Sequence, residues 1–202
     1  HAASPDDGCN AIAALLELLD KLPLAACEST RALKGMHALF PFGDNRGAAL
    51  GIAQENEESG PLTLNLALIT LDGAGFQAKF DVRFPSCATQ ANCREVCEKS
   101  LARCGIRVTA DPEMTQVHRV AGDSELVRTL LECYENVTGV TGAKPTYMGG
   151  GTYVHNIPGG VAFGGTFPGF DPKMHSPNEQ ASVELHLKAC KIYAQAIARL
   201  CR

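Results

Sequence analysis

Residues 62–84 read LTLNLALITLDGAGFQAKFDVRF, and this stretch gives the clearest indication of secondary structure in the chain. Apolar residues alternate with others in both halves, which is the period of a β-strand with one buried face. The central Asp72-Gly73 pair is a strong signal for a tight turn between antiparallel strands. We therefore predict a β-hairpin whose leucine and phenylalanine side chains face a core, with Lys79, Asp81 and Arg83 on the opposite face.

Helical patterns flank this hairpin on both sides. Ser4-Pro5-Asp6-Asp7 carries helix-start signals and is followed by apolar residues at helical spacing, which predicts a helix over residues 5–22. Further helices are predicted over 28–39 and 89–104, and a short strand over 106–108. Together these elements predict a two-layer α+β unit.

A domain boundary is predicted near residue 116, because Asp111-Pro112 and a polar run interrupt the pattern there. Beyond it, helices are predicted over residues 123–138 and 179–200. Buried strands are predicted over residues 145–148 and 160–166. The last helix is apolar on two stripes, which is typical of a helix packed on a sheet. We therefore expect residues 117–202 to need more strands than they contain, and to pack against an N-terminal partner or another copy.

Composition argues against several classes of function. The net charge is −4, the isoelectric point is near 5.9, and lysine and arginine are scattered. This balance offers no basic patch for nucleic acid or for an anionic membrane surface. No apolar stretch approaches the roughly 20 residues that cross a bilayer. We expect neither nucleic acid nor membrane as a partner.

The nine cysteines are odd in number and include no C-x-x-C pair. Most lie at helical spacing among apolar neighbours, which favours reduced, buried, structural thiols in a cytosolic protein over a disulfide framework. The alternative is that Cys93 and Cys97 supply half of a zinc site.

Glycine backbone is concentrated in Met148-Gly-Gly-Gly-Thr-Tyr153. Because glycine lets backbone N–H groups come close to a ligand, Gly150, Gly151 and Thr152 are candidate contacts for a carboxylate or an oxyanion. A tight turn without a ligand is the alternative.

A single histidine stands in Met174-His-Ser-Pro-Asn-Glu179. Ser176 to Glu179 fits a capping box with proline at the first helical position, so His175 would lie just before a fixed helix start. A histidine held in this way suits metal binding. One histidine cannot hold zinc alone, so its other ligands would come from outside the chain.

These motifs resemble the C-terminal part of the PepV-like dipeptidases, which are dinuclear-zinc amidohydrolases like carnosinase, aminoacylase and succinyl-diaminopimelate desuccinylase. Residues 1–12, 60–66 and 80–85 resemble further segments of that family in the same order, so the resemblance covers nearly the whole chain. It implies that residues 1–116 belong to a lid domain and residues 117–202 to the end of a catalytic domain. It also implies that most metal ligands lie in an N-terminal segment absent from this chain.

The resemblance implies roles for individual residues. His1 matches a lid histidine that polarises the scissile carbonyl and stabilises the oxyanion; the end of an affinity tag is its alternative. Arg83 matches an arginine that clamps the substrate's C-terminal carboxylate, with a solvated strand face as its alternative. His175 matches a zinc ligand. Many members read GGGTYAR where this chain ends the motif with Val-His155, which leaves specificity open.

The implied reaction is hydrolysis of a dipeptide or short peptide, with two zinc ions activating a water molecule. The chain alone is expected to be inactive. Two alternatives stay open. Residues 1–110 could form a free-standing binding or dimerisation module, or the enzyme could remove the acyl group of an N-acyl amino acid or polyamine.

Overall fold

The computed structural model describes residues 2–73, 75–109, 113–174 and 176–201. Helices and antiparallel strands are both present, which confirms the α+β class. The chain divides into two compact units. The first comprises residues 1–117 with Tyr147–Gly150, and the second residues 118–146 with 151–202.

The first unit contains three α-helices and two small antiparallel sheets within its described residues. The helices are α1 (Ala11–Asp20), α2 (Glu28–Leu39) and α3 (Glu95–Arg103), with a 3₁₀ turn at Pro5–Asp7 and a π-helical turn at Gln90–Arg94 leading into α3. The strands are β1 (Glu55–Asn56), β2 (Gly60–Pro61), β3 (Thr63–Asp72) and β4 (Gly75–Arg83). Strand β1 pairs with β2, and β3 pairs with β4.

The first helix begins later than predicted. Ser4 makes no side-chain capping bond, and the backbone returns to an extended conformation at Gly8. The cap is instead Asn10, whose side chain accepts hydrogen bonds from the N–H groups of Ile12 and Ala13. A continuous helix over 5–22 is therefore wrong, whereas the helices predicted over 28–39 and 89–104 are confirmed with small shifts. Residues 106–108 form no strand.

The predicted hairpin is confirmed, but it contains a bulge that reverses part of its alternation. Leu66 and Leu68 pair with consecutive residues of β4, so Ala67 is an extra residue in β3. Beyond this bulge the faces exchange. Leu68 is 51% exposed, and Ile69 packs against the core instead. The prediction that Leu68 faces the core is wrong.

The core of the first unit lies between the helices and the inner face of the hairpin. Its most deeply buried apolar side chains come from α1, α2, α3, the loop before β1 and the residue between β2 and β3: Leu16, Met36, Leu50, Ile52, Leu62 and Leu101. Burial of such side chains drives folding of this unit.

The second unit is built on two packed helices, α4 (Glu125–Thr138) and α5 (Val183–Leu200), with a 3₁₀ turn at Tyr153–Asn156. Helix α4 ends at Thr138, as predicted, and its C-cap is Gly139, whose φ of 76° is readily adopted by glycine. Leu130 and Cys133 of α4 meet Ile192 and Ala196 of α5 in a small core. None of the helices in the described ranges combines the length and apolar character needed to cross a membrane.

Three predictions for the second unit are wrong. Residues 145–148 and 160–166 form no strands; Val161 and Phe163 pack beside the helical core without strand pairing. Helix α5 begins at Val183, capped by Ser182, and not at Glu179. Asn178 has a left-handed φ of 62°, which is incompatible with a helix continuing through it.

Candidate functional site

Four polar side chains share the outer face of the hairpin near its open end. Thr63 lies opposite Arg83, and Asn65 lies opposite Asp81. The start of the chain lies beside them, because the Thr63 hydroxyl donates a 2.7 Å hydrogen bond to the carbonyl of Ala2. This face is therefore packed by backbone at one end and is not a simple solvated strand surface.

Arg83 is held on this face by the carboxylate of Asp81. Its Nη2 donates a 3.0 Å hydrogen bond to Oδ2, and its Nε lies 2.8 Å from Oδ1. The Nε atom is nevertheless buried without a hydrogen bond, because its N–H is not directed at Oδ1. We therefore describe the pair as a close ion pair with one good hydrogen bond.

The other side of the Arg83 guanidinium remains available. Asp81 lies along the edge formed by Nε and Nη2, and Nη1 has no hydrogen-bond partner among the described residues. The side chain retains 33% of its exposure. The end-on edge, which is formed by Nη1 and Nη2, matches the two oxygens of a carboxylate.

The glycine-rich segment begins against Arg83. A Cβ placed on Gly149 would lie 3.5 Å from Cβ of Arg83 and 3.8 Å from Cβ of Ala3, which is ordinary van der Waals contact and shows how closely this segment approaches both residues. The hydroxyl of Tyr147 donates to the carboxylate of Glu58, which anchors the same segment to the first unit. The structure thus brings Arg83, the start of the glycine segment and the residues following His1 together.

The three predicted backbone contacts differ in what they can offer. The N–H groups of Gly150 and Gly151 have no acceptor among the described residues. The N–H of Thr152 already donates to Nδ1 of His155 at 3.3 Å, and its hydroxyl caps the turn that follows. Gly150 belongs to the first unit, whereas Gly151 and Thr152 belong to the second.

His155 contacts a second histidine in the second unit. Its ring centroid lies 5.3 Å from that of His118, and His118 Nε2 lies 2.6 Å from the carbonyl oxygen of Gly160. Within the described parts of the chain, no three His, Cys, Asp or Glu side chains are grouped so that they could hold a metal ion.

His1 and His175 lie outside the described residues. The helix start that was expected to fix His175 is absent, since α5 begins at Val183. Its proposed metal role therefore rests on the sequence resemblance.

All nine cysteines are free thiols, but only three are buried. Burial raises the pKa of Cys97 to about 11, with a smaller contribution from Cys93, whose own pKa is also raised by burial. Such thiols resist becoming the thiolates that bind zinc, which favours structural roles for this pair. The prediction of burial is wrong for the other six: Cys9, Cys27, Cys87, Cys104, Cys190 and Cys201.

The sequence interpretation gave no role to Asp81, Thr63 or Asn65. The position of Asp81 was readable, because residues two apart on a strand share a face. Thr63 and Asn65 depend on the register of β3 against β4, which the bulge changes.

Similar proteins come from bacteria and bear related names. The protein named "Putative dipeptidase YtjP" of Bacillus subtilis (strain 168) is 34% identical over 203 residues, covering 100% of this chain and 42% of that protein. The chain is similar to proteins named as dipeptidases. "Putative dipeptidase SSP1012" of Staphylococcus saprophyticus and a "Putative dipeptidase" of Staphylococcus epidermidis are each 28% identical over the same shares. The chain thus spans less than half the length of these relatives. No protein-family model matches it.

Proposed function

We propose that residues 1–202 are part of a metal-dependent dipeptidase and that Arg83 binds the C-terminal carboxylate of its substrate. The observation that carries this proposal is the similarity to proteins named as dipeptidases along the whole length of this chain. The guanidinium edge of Arg83 supplies the chemistry that a free peptide C-terminus requires.

The glycine segment is a further proposed contact for a substrate. Gly150 and Gly151 carry backbone N–H groups without acceptors in the described structure, and such groups bind carboxylate or oxyanion oxygens. Thr152 contributes by capping the turn after the segment, since its own N–H is already used. His1 is the proposed partner of the oxyanion.

The described residues do not form a metal site. We therefore assign one ligand, His175, to a pair of zinc ions and infer that the remaining ligands come from a segment outside residues 1–202. Bound zinc would supply a Lewis acid and lower the pKa of a coordinated water. On this basis we propose that the isolated chain is inactive. The free cysteines favour a cytoplasmic location for the longer protein.

The exposed side of α5 supports a missing partner segment. Val183, Leu187 and Ile197 are 77%, 61% and 62% exposed, and they lie on one stripe of this helix with Cys190 and Ala194. Apolar stripes of this length are usually covered. The relatives are long enough to contain a segment that covers such a stripe, because this chain matches only 42% of their length. We accordingly propose that the first unit is part of a lid domain and the second part of a catalytic domain.

A substrate series tests this function in a protein that includes the outside segment. We expect hydrolysis of alanyl-alanine, and a loss of at least tenfold in kcat/KM for alanyl-alaninamide, on the scale of one charged hydrogen bond. N-acetylalanine is the matched substrate for the deacylase alternative, because it keeps the carboxylate but lacks the free amine. Faster hydrolysis of N-acetylalanine would establish that alternative. No hydrolysis of any substrate with zinc present would favour a binding module.

A further inference from the structure

We propose that Asp81 is a positioning residue, which fixes the guanidinium of Arg83 so that its end-on edge faces the ligand. The positioning itself stands on the contacts of Asp81, whereas its consequence for a substrate rests on the proposed function.

Strand geometry makes this arrangement local and direct. Asp81 and Arg83 are two residues apart on β4, so both side chains leave the same face. The carboxylate reaches Nη2 at 3.0 Å and approaches Nε to 2.8 Å, which places it beside the side-on edge of the guanidinium. Because Asp81 occupies the edge formed by Nε and Nη2, a ligand carboxylate can bind only at the edge formed by Nη1 and Nη2.

The part of the Arg83 side chain nearest the backbone is also packed. Gly149 lies against the start of its side chain, and Nε is buried. Asp81 is itself 39% exposed, so the pair lies at the surface, where an ion pair alone contributes little stability. Its effect is therefore expected in the order of the guanidinium and in binding, and much less in the stability of the fold.

Ordering an arginine before it binds lowers the entropy lost on binding. Immobilising one long side chain costs about 0.5–1.5 kcal/mol, which corresponds to a change in affinity of roughly twofold to tenfold. An anion beside Arg83 also reduces the local positive charge. If Asp81 mainly competes with ligands, its removal should strengthen binding, whereas positioning predicts that removal weakens it.

Nuclear magnetic resonance of the Arg83 Nε–H group in the chain of residues 1–202 tests the positioning directly. We expect a rigid group, with a positive heteronuclear NOE, in the unchanged chain and in Asp81→Glu. In Asp81→Asn the same signal should become mobile. The matched control is Asp6→Asn, which removes the ion pair between Asp6 and Arg46 in the same unit and should leave the Arg83 signal unchanged. A mobile Arg83 in the unchanged chain, or a rigid one in Asp81→Asn, would overturn the proposal.

Titration with glycylglycine then measures the consequence for a ligand. Asp81→Asn should weaken binding at the Arg83 signal by roughly twofold to tenfold, the scale of one immobilised side chain. The same change in an Arg83→Met background, followed at the backbone N–H signals of Gly150 and Gly151, should have no further effect, because the two residues act as a unit. Tighter binding in Asp81→Asn would contradict positioning. If glycylglycine leaves Arg83 undisturbed while Asp81 still immobilises it, the positioning is supported and the carboxylate role in the proposed function fails.

Discussion

Arg83 shows how a common surface residue acquires a site-like environment. Asp81 pairs with its guanidinium, Gly149 lies beside Cβ and Cγ of its side chain, and Thr63 lies opposite it across the hairpin, while Nη1 has no hydrogen-bond partner among the described residues. Lysine could keep the charge at this position but could not present two parallel N–H groups.

The first prediction concerns Arg83→Lys in the longer protein. We expect kcat/KM for dipeptides to fall by the equivalent of roughly one to three kcal/mol, because the two-pronged contact is lost. Steady-state kinetics measures this change. Lys79→Met is the matched control, since it removes a cation farther along the exposed face of β4. Unchanged kinetics in Arg83→Lys would mean that Arg83 is an ordinary solvated residue of the strand and does not bind the substrate.

A second prediction follows from the buried thiol of Cys97. Its pKa is about 11 in the folded protein against an ordinary value of 9.0. The unfolded chain therefore releases this proton first as pH rises. Cys97 contributes its full stability below pH 9 and loses that contribution as pH rises towards 11.

Urea unfolding and thiol labelling measure this effect. The free energy of unfolding should fall between pH 9 and 11, because the contribution of Cys97 is lost there. This decrease should be smaller in Cys97→Ala than in the unchanged chain. At pH 8 the three buried thiols should react with a thiol reagent much more slowly than the six exposed ones. Rapid labelling of Cys97 in the folded protein would contradict its burial.

At the scale of elements, the sequence predicted what depends on local pattern and erred where tertiary contacts decide. The hairpin, α2, α3 and α4 follow from alternation, helical spacing and caps such as Gly139. The bulge at Ala67 leaves no mark in the alternation. Counting back from the turn without it would place Arg83 opposite Leu64, on the wrong face.

The helix start predicted at Ser176 shows the limit of motif reading. Ser-Pro-Asn-Glu satisfies the capping pattern, yet Ser182 is the cap used, with its hydroxyl accepting from the N–H of Leu185. Of the predicted site, Arg83 and the glycine segment could be located from sequence. The side-on contact of Asp81 could not, because pattern alone does not give the orientation of a guanidinium.

Helix α5 carries the third prediction. Ile197→Glu should change the free energy of unfolding of residues 1–202 by less than about 0.5 kcal/mol, because this side chain is already exposed. In the longer protein the same change should destabilise the fold by about 2 kcal/mol or more, through burial of a charge. Ile192→Glu, on the buried stripe, is the matched control and should destabilise both. Equal small effects of Ile197→Glu in both proteins would show that nothing covers this stripe.

At the scale of the whole molecule, the first unit has a broad core between helices and hairpin, while the second rests on two helices and a few aromatic contacts. Among its described residues the second unit forms no β-strand. This contrast agrees with the proposal that residues outside the chain complete the second unit.

The fourth prediction is that residues 1–202 bind zinc no more tightly than about millimolar. One assigned histidine supplies far fewer than the roughly four ligands that zinc prefers. Calorimetric titration of the chain measures this affinity. A stoichiometric micromolar site would mean that the ligands are local to this chain.

Dipeptide hydrolysis by the longer protein, measured before and after metal removal, tests whether this chain is part of a zinc-dependent dipeptidase. We predict that chelation abolishes hydrolysis of alanyl-alanine, that zinc restores it, and that zinc does not restore it in His175→Ala. Full hydrolysis by the chelated protein, or by residues 1–202 alone, would contradict the account.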